Sequence, residues 1–193
     1  MAMSGIIAGI DEVGRGAWAG PLTVAVVALP FGLEIEGVRD SKLLSHAQRC
    51  RLDKAIRRAA TGIGIGWVTA AEIDDNGLSW AVREAGLRAL ADLDMTTDLV
   101  ILDGNWDYLA ESGHTVQTII KADATIVPVA AASVVAKVAR DRYMEQLELS
   151  NPVYGFAKHR GYVTASHRQV VAQHGLGPHH RRLWALKGAT DVD

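Results

Sequence analysis

Residues 5–29 read GIIAGIDEVGRGAWAGPLTVAVVAL, and the fold turns on how this stretch is parsed. Ser4 to Ile10 is a short apolar run that stops at Asp11-Glu12, and Leu22 to Leu29 is a second run, rich in Val. Both have the length and composition of strands. The apolar stretch from Pro21 to Phe31 is too short to span a bilayer, so it reads as a buried strand. Thr61 to Ala70 (TGIGIGWVTA) makes a third strand, with Ile63, Ile65 and Trp67 alternating with Gly and expected to form its packed face. Three such strands in succession predict an antiparallel meander.

A helix is predicted between the second and third strands, with Ser45 as its N-cap, Leu52, Ile56 and Ala59 on one face and a basic opposite face from Arg49 to Arg58. Ala71 to Leu93 is helical with a break at Asn76-Gly77; Asp98 to Leu102 and Thr115 to Lys121 are further strands. Val129 to Leu149 is a long helix, and Thr164 caps a shorter one ending at His174. The aromatic and basic segment Asn151 to Tyr162 joins them as a loop. Strands first, then alternating helices and strands, predict an α/β fold: a mixed five-stranded sheet flanked by helices, with a C-terminal helical region.

A chain of 193 residues and 20.7 kDa suits a single catalytic domain over 1–193, with the helical part about 150–193 serving substrate binding. Hydrophobic residues at 49% and charged residues at 22% exclude disorder and disulfide-stapled miniatures. The net charge of −2 hides an asymmetry. Residues 1–132 carry 11 basic and 17 acidic side chains, whereas residues 133–188 carry 9 and 3. The basic part points to a polyanion. A single cysteine, Cys50, and no recognisable signal peptide predict a cytoplasmic protein without disulfides, and Cys50 itself reads as a small half-buried side chain.

Chemistry is expected where strands stop. Asp11, Asp103 and Asp123 each follow a strand, and Glu12 adjoins the first. Carboxylates brought together repel unless cations neutralise them, and oxygen donors select Mg²⁺ or Mn²⁺ over zinc. Asp also stops strands and caps turns for purely structural reasons, which is the commoner role of any one of them. The turn Gly14-Arg15-Gly16 leaves backbone open to a ligand with a cation between, yet it matches neither a P-loop nor a dinucleotide fingerprint.

The blocks GIDEVGRGAWAGPL (9–22), DSKLLS (40–45), LDGN (102–105), KADA (121–124), AAASVVAKVARDRYM (130–144), YGFAKHRGY (154–162) and HHRR (179–182) make the chain resemble bacterial ribonuclease HII, the type 2 ribonucleases H. The resemblance implies an RNase H-like fold. It also implies an endoribonuclease acting on RNA–DNA hybrids and 5′ of single ribonucleotides in duplex DNA, leaving 5′-phosphate and 3′-hydroxyl ends. Asp11, Glu12, Asp103 and Asp123 become the catalytic, metal-binding set for two ions of Mn²⁺ or Mg²⁺, with Asp11 and Asp103 shared between them. Gly14, Arg15, Gly16 and Tyr162 would read the ribose 2′-hydroxyl, while Lys42, Ser133, Lys137 and Arg142 would hold phosphates. Ala122 and Arg160 stand where many members carry Gly and Lys, and the tail after HHRR departs from the usual ending. The separate N-terminal domain of ribonuclease HIII is not expected to find room in 193 residues, which makes that sister family the less expected one, and neither an obligate protein partner nor an oligomer is expected.

Two other readings are weighed. A phosphatase with an Asp nucleophile needs D-x-D after its first strand, where this chain has Asp11-Glu12-Val13. A noncatalytic hybrid-binding module would have lost an acidic residue, and all four are present. His179-His180 are expected at the surface near phosphate; the five Trp are expected to pack, with Trp18 able to line the substrate groove.

Overall fold

The computed structural model describes residues 5–38 and 44–183. Strand β1 (Ile6–Val13) pairs antiparallel with β2 (Leu22–Pro30), and β2 pairs antiparallel with β3 (Gly62–Val68). On the other side of β1 lie β4 (Leu99–Asp103) and β5 (Val116–Ile119), both parallel, giving the order β3-β2-β1-β4-β5. The meander and the mixed five-stranded sheet are as the sequence predicts.

Strand β2 is central and covered on both faces, which is why it reads as an unbroken apolar run instead of an alternation. Leu22, Val24, Val26 and Ala28 face helix α3 (Leu78–Leu93). Ala25, Val27 and Leu29 face helices α1 (His46–Ala59) and α5 (Val127–Ser150). Ser45 caps α1 in a full capping box with Gln48, and Asn76 ends α2 (Ala70–Asn76) before Gly77 starts α3. Three elements complete the chain: α4 (Ala122–Thr125), α6 (Phe156–His159), which sits inside the expected loop, and α7 (Ala165–His174), capped by Thr164. Cys50 is half-buried on α1.

Two expectations change. The tightly packed face of β3 is the glycine face: a Cβ on Gly64 would lie 2.0 Å from the Ala89 carbonyl oxygen, and one on Gly66 only 1.8 Å from that of Ala85. Helix α3 therefore lies against bare backbone, while Ile63 and Ile65 are only half-buried beside α5 and α1. Strand β1 also does not stop at Ile10. Asp11 and Glu12 stay in the ladder opposite Ala25 and Val24.

Candidate active site

Continuation of β1 decides how the acidic residues are shared out, because successive strand side chains leave on opposite faces. Ile7, Gly9 and Asp11 face α5; Ala8, Ile10 and Glu12 face α3. Along β4, Val100 and Leu102 lie on the α3 side, so Asp103 shares the α5 side with Asp11. The parallel register sets Ile10 beside Leu102, and hence Asp11 beside Asp103. Asp103 Oδ1 accepts the Ala122 N–H at 2.7 Å, drawing the first turn of α4, with buried Asp123, against the end of β4.

The Asp11 carboxyl is enclosed although the residue keeps some exposed surface. Burial first, then the charges of Glu12 and Asp103, push its pKa up to about 7, against hydrogen bonds from the Ser133 hydroxyl and the Glu12 amide. Glu12, on the opposite side, pairs with Arg15 at 3.0 Å. Among the described residues, no three His, Cys, Asp or Glu side chains gather on one point as a ligand set. The pleat directs Glu12 to the face opposite Asp11 and Asp103. In donor chemistry the group still suits hard divalent cations: all-oxygen, crowded, and with one carboxyl whose pKa is raised by burial and then by neighbouring charge.

Gly14, Arg15 and Gly16 form a turn directly after β1, with Gly14 at φ 91° and Arg15 and Gly16 exposed at its tip. Two fully buried arginines hold the backbone behind it. Arg140, on α5, donates to the carbonyls of Pro21 (2.8 Å), Arg160 (2.9 Å) and Ala19 (3.1 Å). Arg181 donates twice to Gly20 O (3.1 and 3.0 Å) and once to Arg15 O (2.9 Å). Residues 18–20 are further tied to the C-terminal part through Trp18 and Ala19 N–H to Gly161 O, Gly20 N–H to His179 O, and Arg181 N–H to Trp18 O. Tyr162 is thereby brought next to the glycine turn, its ring above Arg140 (5.1 Å) and Lys137 (5.6 Å).

The phosphate-holding candidates are placed differently from one another. Lys137 pairs with the buried Asp141 at 2.7 Å, Ser133 is engaged by Asp11, and Arg142 lies 3.7 Å from the buried Asp53. Lys42 lies outside the described residues. His180 is buried, contrary to expectation, because its ring is built into a histidine cluster beneath the 154–162 segment; His179 is half-buried. Trp18 packs on His167 within the interior, Trp106 is 45% exposed but lies with its ring 5.5 Å from that of Tyr108, and Trp184 lies outside the described residues.

Sequence reasoning passed over Tyr108. Its buried hydroxyl has no hydrogen-bond partner, and burial together with the charges of Glu12, Asp11 and Asp103 drives its pKa well above the usual value. It floors the Glu12 side of the site. Nothing in the local pattern DGNWDYL distinguishes it from an ordinary core tyrosine.

His167 and His180 predict a pH effect on stability. Burial, and in His180 also the neighbouring His167, lowers both to about 4. Unfolded imidazoles titrate near 6.5. Between those values the unfolded chain binds protons that the folded chain refuses, so stability is complete above pH 6.5 and falls as pH drops toward 4. Urea denaturation at pH 7.5, 6 and 5 is expected to show that decline, about 3 kcal/mol in full for one imidazole. A flat profile would count against neutral burial.

The family model for ribonuclease HII matches residues 8–187. The ribonuclease HII of Streptomyces avermitilis is 45% identical over 184 residues, covering 95% of this chain and 78% of that protein. The ribonuclease H2 of Pyrococcus horikoshii OT3 superposes with a TM-score of 0.80 at 29% identity, over 96% of this chain and 97% of its own. The ribonuclease HII of Archaeoglobus fulgidus, solved as a complex with PCNA, gives 0.78 at 28% identity over 93% and 95%. With the strand-end carboxylates, the glycine turn and the C-terminal clamp all inside the matched span, the chain belongs to the ribonuclease HII family of endoribonucleases.

Proposed function

We propose that this chain hydrolyses the RNA strand of RNA–DNA hybrids and cuts 5′ of single ribonucleotides embedded in duplex DNA, leaving 5′-phosphate and 3′-hydroxyl ends. The observation that carries this reading is the junction of two features at one end of the sheet: the coupled carboxylates, and a glycine turn joined to them by the Arg15–Glu12 pair. A phosphodiester needs the first, and discrimination of RNA from DNA needs a group that meets the 2′-hydroxyl, such as the second.

The family is divalent-metal-dependent. Asp11, Glu12, Asp103 and Asp123 would hold two ions of Mn²⁺ or Mg²⁺, which when bound make water nucleophilic and offset charge on the attacking and leaving oxygens. The protein does the rest. Exposed backbone at Arg15 and Gly16 admits the ribose where a side chain at Gly16 would intrude. Tyr162 meets the sugar from the opposite side, its ring steadied by Arg140 and Lys137. Ser133 orients the Asp11 carboxylate through its hydroxyl. The basic C-terminal part, and Lys42 outside the described residues, contact the duplex backbone, which sets register without reading sequence. No described helix is long and apolar enough to cross a membrane; we place the enzyme in the cytoplasm, acting as a single domain without an obligate partner.

The test is incubation with Mn²⁺ or Mg²⁺ and a DNA duplex carrying one ribonucleotide, beside the same duplex without it. Cleavage confined to the 5′ side of the ribonucleotide is the expected result. Equal cleavage of the all-DNA duplex would overturn the reading.

A further inference from the structure

The histidines under the 154–162 segment have their protons assigned by their neighbours. The Gly177 amide donates to His180 Nδ1 at 3.0 Å, so that nitrogen carries no proton, and in the neutral ring the proton sits on Nε2. His180 Nε2 lies 3.0 Å from His167 Nε2, so the second must accept. The proton of His167 is then on Nδ1, which stands 3.0 Å from the Tyr162 carbonyl oxygen and donates to it. His159 runs the other way. Its Nδ1 accepts the Gly161 amide at 3.1 Å, leaving Nε2–H for the Tyr154 carbonyl at 2.8 Å. Its ring lies parallel to that of His167, with centroids 4.0 Å apart.

We propose that His180 and His167 form a relay of fixed tautomers that holds Tyr162 at the substrate-facing position, making His167 a positioning residue for ribose recognition. This rests on the reading of Tyr162 as a substrate contact. An apolar side chain could fill the same volume, but none could accept a hydrogen at one end and donate one to a carbonyl at the other. Every ring nitrogen of the three histidines is engaged, which leaves no lone pair for a metal. The Tyr162 N–H is also held, by His159 O at 2.9 Å. Backbone and ring are thus gripped from opposite sides, by histidines and by the Arg140 and Lys137 cations. Glu148 is the charged group facing His159, and His179 faces His180.

The first arm of the test is nitrogen-15 NMR of the imidazoles in the full chain at pH 7.5. His167 is expected as the Nδ1–H tautomer, and His159 and His180 as Nε2–H. A His167 proton on Nε2 overturns the proposal.

The second arm measures kcat and KM on the single-ribonucleotide duplex for His167→Leu, Tyr162→Ala and the double variant, with folding checked by circular dichroism. Each single change is expected to lower kcat/KM by about ten- to a hundredfold, as small misplacements do. The double variant should fall no further than Tyr162→Ala.

His167→Asn and His167→Gln provide the comparison should the leucine variant not fold. Asn sets an amide N–H where Nδ1 stood and is expected to restore most activity; Gln sets it where Nε2 stood and is not. If Tyr162→Ala is impaired while folded His167→Leu, or His167→Gln in its place, cleaves at the full rate, the relay is overturned and the substrate reading stands. If Tyr162→Ala itself cleaves at the full rate, that reading falls and the proposal with it.

Discussion

Asp103→Asn is expected to abolish cleavage, by on the order of 10³-fold or more in kcat, while leaving binding of an RNA–DNA hybrid nearly unchanged. Geometry makes this substitution informative. Asp103 Oδ1 accepts the Ala122 amide, and an asparagine Oδ1 can accept the same hydrogen, so the hold on α4 survives. What disappears is one negative charge from the coupled group at the strand ends. That loss weakens any hold on divalent ions, and it also relieves the repulsion that helps raise Asp11. Thermal stability should therefore be no lower than in the parent. The three readouts are turnover with Mn²⁺, hybrid affinity by gel shift, and Tm. Full activity would remove Asp103 from the site; a large fall in Tm would mean that the lost activity was lost structure.

The sheet was legible for a physical reason. A strand buried on both faces must be apolar at nearly every position, and LTVAVVAL at 22–29, with Thr23 as its one polar residue, can be little else. The acidic positions were equally visible, since Asp103 ends a strand whose hydrophobic pattern is plain. Two other things were not. Alternating Gly in TGIGIGWVTA can mean a weak strand or a bed for a helix, and only the arrival of α3, distant in sequence, decides it. The interior of the C-terminal part was hidden more completely. Arg140, Arg181 and His180 look like surface groups in a basic stretch, because charged and titratable residues are seldom fully buried. Their burial is stable only because backbone carbonyls and other rings satisfy them, all but one of the arginines' partner residues lying 119 to 166 residues away. No local pattern records partners at that separation. Two of the cations behind the +6 excess of residues 133–188, Arg140 and Arg181, thus serve the fold.

Arg181→Leu is expected to produce the largest loss of stability among single changes near the site. The side chain is wholly buried, and burial together with the nearby Arg140 pulls its pKa down to about 9, so it keeps its charge at neutral pH. Its donors satisfy the carbonyls of Gly20 and Arg15, one behind the glycine turn and one within it. Leucine fills much of the volume but leaves the buried Gly20 oxygen unpaired, a cost of about 1–3 kcal/mol, and removes the hold on the Arg15 carbonyl at the exposed turn. Lysine keeps the charge, yet its compact ammonium lacks the planar fork needed to reach both carbonyls, so Arg181→Lys should fall between. The effect should also reach the chemistry if, as proposed, the turn that carries the Arg15 carbonyl is the one that meets the ribose. At a temperature where the variant remains folded, kcat/KM on the single-ribonucleotide duplex should drop while affinity for all-DNA duplex holds. Parental Tm and parental kcat/KM in Arg181→Leu would show that the turn stands without this support.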